Sequence, residues 1–149
     1  MLKRYLPLII VLSAIVACDK NKLNTKPSIE VKNVNATNIR PNEQLVIDLN
    51  YKDKEGDLGG GLITYIRERL NIKPITDPAS NDKADTTRSI LPDFPKTTSG
   101  QIKLKIDNAF MSEDPFDNDT MNFKIFVTDV AGNSSDTITV GPVVDDQLP

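Results

Sequence analysis

The stretch Leu45-Val46-Ile47-Asp48-Leu49-Asn50-Tyr51 decides the fold class. Leu45, Ile47, Leu49 and Tyr51 fall on one side of an extended chain, with Asp48 and Asn50 on the other. That period of two is what a strand with one buried face requires. The same pattern recurs downstream. In Gly100–Ile106, Ile102, Leu104 and Ile106 alternate with lysines; in the run around 121–127, Met121, Phe123, Ile125 and Val127 alternate with polar residues. Three strands of this kind in a chain of 149 residues point to one all-β domain.

Working outward, Ser28 to Ile39 reads as a first strand, with Ile29 and Val31 on one face, and Pro41-Asn42 marks a turn. The run 62–69 follows the quoted strand. Leu62, Ile66 and Leu70 would line one face of a helix, but β-branched content and the surrounding strands favour a strand. Residues 71–99 form a long loop and an edge strand. The loop carries Pro74, Pro78 and a polar run, and the edge strand at 88–94 is ended by Pro92 and Pro95. Residues 107–119 read as an acidic connection, 129–135 as a turn, and 136–140 as a last strand. Gly141-Pro142 then opens a C-terminal tail, 142–149. The count is seven strands and no convincing helix. Over residues 28–141 this suits a seven-stranded, antiparallel, immunoglobulin-like β-sandwich.

Composition narrows the chemistry. There is no His, no Trp and one Cys, and the formal net charge is −3. Most nucleophile, general-base and zinc chemistry is therefore not expected, and no basic footprint points to nucleic acid. An enzyme is not expected. A pair of carboxylates working as a small hydrolase is kept as a remote alternative.

Asp53-Lys54-Glu55-Gly56-Asp57-Leu58-Gly59-Gly60-Gly61 follows the quoted strand directly. Carboxylates at 53, 55 and 57 converge if the chain curls, and glycines permit the curl. In a sandwich of this kind the loop 52–61 and the turn 129–135 share one end. Asp53, Glu55, Asp57, Asp129 and Asn133 are thus candidate ligands for a hard cation, calcium first. The loop is not an EF-hand, because no helices flank it and its first glycine comes too early. Ordinary turn chemistry is the competing reading, with Asp129 and Asn133 capping their own turn. A second acidic group, Glu113, Asp114, Asp117 and Asp119, falls at the opposite end and reads as solvated loop. Phe94, Phe110, Phe116 and Phe126 are candidates for a contact surface or for covering core edges.

The N-terminus is a processing signal. Lys3 and Arg4 precede a short apolar run, Leu6 to Ala14, too short to span a membrane comfortably. Ile15-Val16-Ala17-Cys18 resembles the lipobox of bacterial lipoproteins. That resemblance implies a signal peptide over 1–17, cleavage after Ala17, a covalent lipid such as palmitate on Cys18, and a polar tether over 18–27. A protein anchored in this way faces a membrane of the cell envelope, with the outer membrane expected.

Two further stretches, the loop at 53–59 and Asp129-Val130-Ala131-Gly132-Asn133-Ser134-Ser135, resemble together small lipoproteins of the Bacteroidota type with an immunoglobulin-like or cadherin-like domain. The resemblance implies a non-catalytic structural or binding module, stiffened by calcium where the loops meet. The alternative is a recognition module for an envelope polysaccharide or protein, using residues 71–99.

Overall fold

A computed structural model describes residues 26–71, 86–112 and 117–147. The signal peptide, Cys18 and all of the tether before Lys26 lie outside the described residues. So do 72–85 of the long loop and Glu113, Asp114 and Phe116.

The described residues are mostly β, with a single helical turn. Eight strands appear among the described residues: β1 (Ser28–Val34), β2 (Asn38–Ile39), β3 (Gln44–Lys52), β4 (Leu62–Arg69), β5 (Thr86–Ile90), β6 (Ser99–Asp107), β7 (Asp119–Thr128) and β8 (Ile138–Asp145). They form two sheets, one ordered β1-β3-β6 and one ordered β2-β8-β7-β4-β5. Only β2–β8 is a parallel pair. The alternation seen in the sequence is the burial pattern. In β3 every second residue from Leu45 to Tyr51 is buried, and in β7 every second residue from Asp119 to Val127. Ile102, Leu104 and Ile106 of β6 join β3 on one side of the core. Phe123, Ile125 and Val127 of β7 join Ile63 and Tyr65 of β4 on the other. Each such side chain removed from water contributes about 1.5–3 kcal/mol.

Four expectations need correction. The single strand 28–39 is two strands. The register of β1 shifts between Val31 and Asn33, and the chain then crosses to the other sheet, where Thr37 O accepts from Val144 N at 2.7 Å. Val31 is consequently 42% exposed rather than buried beside Ile29. The edge strand is β5, which stops at Ile90 rather than 94. The acidic connection begins with a helical turn, α1 (Asn108–Met111), whose Asn108 and Met111 are buried. Lastly, the expected C-terminal tail is largely strand, since β8 runs through Gly141-Pro142 to Asp145. Its register against β7 shifts between Met121 and Phe123, so Gly141 and Pro142 stand opposite Asn122 alone. A proline without an N–H is tolerated in such a bulge.

Candidate metal centre

β3 delivers the chain to Lys52 with Tyr51 in the core, so Asp53 arrives at the edge of the core rather than in solvent. Its backbone N–H donates to Thr98 O at 2.9 Å. Its Oδ2 accepts from the Asp57 N–H at 2.8 Å, which closes the loop on itself. Gly56 takes φ +66° within that curl, a conformation costly for any residue with a Cβ. Leu58, fully buried, pins the far side of the loop, and Gly61 N–H donates to Leu58 O at 3.0 Å.

β7 delivers Asp129 in the same way, one residue past Thr128. Asp129 Oδ1 accepts from the Asn133 N–H at 2.7 Å, and Oδ2 accepts from Asn133 Nδ2 at 2.9 Å. A backbone bond joins the two loops, Val130 N–H to Asp57 O at 3.2 Å.

The result is one oxygen each from Asp53, Asp57 and Asp129, all within 4.8 Å of one another. Asp53 and Asp129 are only 2% and 4% exposed. Asp53 Oδ1 and Asp57 Oδ1 are buried and accept no hydrogen bond. Among the described residues none of the three carboxylates is in an ion pair. Burial pushes the Asp57 carboxyl above the usual range, with Asp129 and Asp53 adding repulsion, Glu55 adding less, and a backbone hydrogen bond opposing. Buried carboxylates gathered this way require a compensating positive charge or a proton. Oxygens this close lie within about 5 Å, twice a calcium–oxygen distance, and an all-oxygen donor set suits a hard cation.

The five expected ligands are thus sorted. Asp53, Asp57 and Asp129 converge. Glu55 is exposed and outside the group. Asn133 uses its amide to hold Asp129 in place. Of the phenylalanines, Phe94 packs on Tyr51 at 5.5 Å and Phe110 edge-on to Tyr65 at 5.5 Å, so both cover core edges. The start of β1 lies at the same end as the cluster, and Lys26 Nζ meets Asp136 Oδ1 there at 2.6 Å.

The opposite end holds a polar cluster that sequence reasoning missed. Asp119, expected in solvated loop, is 2% exposed and ion-paired with Arg69 at 2.6 Å. Asp145, expected in the tail, is fully buried. Its Oδ1 accepts from Gln147 Nε2 at 2.6 Å and from Asn108 Nδ2. Burial raises the Asp145 pKa and repulsion from Asp119 adds to it, against the hydrogen bonds from Gln147 and Asn108. Arg67, also 2% exposed, donates to Phe110 O at 2.9 Å and lies over the Phe110 ring. Period two from Ile63 and Tyr65 puts Arg67 on the inner face of β4, a position the sequence reading did not single out.

No family model matches the chain, and no curated protein matches it. Among solved structures, it is similar to Spo0M, a sporulation control protein from Bacillus subtilis, with a TM-score of 0.39 and 8% identity. That likeness covers 78% of this chain and 49% of Spo0M. It is also similar to a β-glucosidase from Listeria innocua solved with gluconolactone, with a TM-score of 0.37 and 13% identity, over 79% of this chain and 16% of that one. The chain therefore spans about half or less of either protein, and likenesses of this degree carry no functional argument.

Proposed function

We propose that the protein is a lipid-anchored, non-catalytic module of the cell envelope, an immunoglobulin-like sandwich whose loop end is clasped by calcium. The observation that carries the calcium reading is the buried, unpartnered Oδ1 of Asp53, set among the Asp57 and Asp129 carboxylates. A cation there would link the loop after β3 to the turn after β7 and fix both next to the start of β1. Support for the immunoglobulin-like topology comes from strand order. With β1 as strand A, β2 as a second half of A, then β3 as B, β4 as C, β5 as C′, β6 as E, β7 as F and β8 as G, the sheets read A-B-E and A′-G-F-C-C′. Support for the anchor comes from the sequence Ile15-Val16-Ala17-Cys18 behind a basic, then apolar, leader. Several acyl chains on one Cys would hold the protein firmly to the envelope membrane.

The test is a thermal melt of the full-length protein in mild detergent, with excess calcium and with EDTA. A ligand at 100 times its Kd adds about 2.7 kcal/mol. In a domain of this size that is a rise of roughly 8–11 °C. Asp53→Asn should abolish the calcium-dependent rise while leaving the melt in EDTA unchanged or higher, because it removes one of three repelling charges. Equal melts in calcium and EDTA, or an equal loss from Asp53→Asn in both, would overturn the calcium reading. Cys18→Ala should move the protein from the membrane to the soluble fraction; retention in the membrane would overturn the anchor.

A further inference from the structure

The two sheets are unequal, three strands against five. β5 ends the five-stranded sheet and β6 ends the three-stranded one. No described residue pairs with the outer edge of either. Between these edges the core is open in a cleft of about 300 Å³, floored by Ile63, Leu91, Ile102 and Leu104. Ile90, at the end of β5, is 76% exposed. Arg88, in the middle of β5, is exposed too, and among the described residues no carboxylate pairs with it.

We infer that the free edge of β5 and the adjoining cleft form a docking site for an extended protein segment that alternates apolar and acidic residues. The geometry selects that chemistry. A strand added beside β5 would lie about 4.8 Å from it, and its side chains would alternate between the two faces. One set points inward over the cleft, whose buried floor of Ile63, Leu91, Ile102 and Leu104 favours apolar groups, while exposed Ser89, Gln101 and Lys103 also line it. The other set points outward beside Arg88. The register places Arg88 opposite Thr64 and Ile90 opposite Leu62, both on the face away from the core. A carboxylate there meets an unpaired guanidinium. A second copy of the chain fits less well, since antiparallel pairing of β5 with itself about Arg88 would set two guanidinium groups against each other. Edges of this kind are paired or blocked in other proteins; within β5 itself Arg88 is the one charged residue.

The probe is a capped peptide of alternating valine and glutamate, roughly seven residues long, which spans a strand of this size. It is titrated into isotope-labelled full-length protein in detergent while backbone amide resonances are followed, once with calcium and once with EDTA. Saturable shifts confined to residues 86–92 and 101–104 are expected in both conditions, so the outcome does not depend on the metal cluster. A valine–lysine peptide should produce none. Arg88→Glu, an exposed substitution that leaves the fold intact, should weaken the valine–glutamate peptide about fivefold and favour the valine–lysine peptide instead. No shifts at millimolar peptide, shifts outside these segments, or equal binding of the two peptides would overturn the inference. So would concentration-dependent self-association that broadens β5 without peptide, which would assign the edge to a second copy.

Discussion

Gly61→Ala tests how tightly the two loops are locked together. Gly61 lies where the loop after β3 turns into β4, and its φ is not in the left-handed region, so the backbone itself accepts alanine. Space does not. A Cβ on Gly61 would run into Thr128 O, with Leu58 O at 2.9 Å and Asp129 Cα at 3.2 Å. All three are backbone atoms, and none can swing aside as a side-chain tip would. Moving them weakens the bonds that pass through this residue, Gly61 N–H to Leu58 O at 3.0 Å and Leu91 N–H to Gly61 O at 2.8 Å. Overpacking costs about 1–3 kcal/mol, and weakening the two hydrogen bonds without breaking them adds about 1 kcal/mol, so a net loss of about 2–4 kcal/mol is expected. That is a fall of roughly 6–16 °C in the melt. Separating Asp57 from Asp129 should also weaken calcium in a calorimetric titration. Gly132→Ala is the control. Its φ is +89°, but a Cβ there meets nothing within 4 Å, so only the conformational cost of about 1–2 kcal/mol applies. If Gly61→Ala melts as the parent does, or loses less than Gly132→Ala, the steric lock is refuted.

Two other perturbations probe the opposite end. Arg67→Ala leaves Phe110 O and Met111 O without their guanidinium donor and opens a cavity under the Phe110 ring. It should cost about 3–5 kcal/mol in urea denaturation, and a loss below about 1 kcal/mol would mean that the buried arginine is replaceable. Asp145 has a folded-state pKa above its unfolded value of about 3.9, so the folded state holds the proton more tightly. Its contribution to stability therefore falls as pH rises from the unfolded value through the raised one. Asp145→Asn keeps an acceptor for Gln147 and removes the titration. The mutant should gain on the parent as pH is raised from about 4 to 7 in parallel melts, and a difference that is flat or reversed with pH would refute the assignment.

What the sequence revealed and what it hid follow from local and non-local physics. β3, β6 and β7 were legible because each buries one face, and a buried face writes a period of two into the chain. β4 was readable as a strand even though its spacing also fits a helix. The crossing from β1 to β2 was not legible, because which sheet a residue joins depends on partners far away in the chain. Pro142 reads as a terminator, and only the bulge opposite Asn122 explains why β8 continues past it. Asp119 and Asp145 read as surface residues since nothing local announces Arg69, Asn108 or Gln147. At the candidate site the alternate spacing of Asp53, Glu55 and Asp57 predicted three converging carboxylates. The left-handed turn at Gly56 breaks the alternation, so Asp53 and Asp57 converge while Glu55 stays exposed, and the third group is Asp129, expected from the loop end that the two turns share.

The split first strand also sets how the domain carries load. β2 and β8 lie side by side and run in the same direction. Pulling the chain backward ahead of β1 and forward beyond β8 slides these two strands lengthwise past each other. Thr37 O to Val144 N–H at 2.7 Å and Ile39 O to Asp146 N–H at 2.9 Å are then stretched together rather than one after the other. Beyond them, β1 must slide along β3 before the first sheet opens. Tension between the two ends therefore meets bonds that share it, whereas a sideways tug on β5, paired among the described residues with β4 alone, would peel that strand away bond by bond.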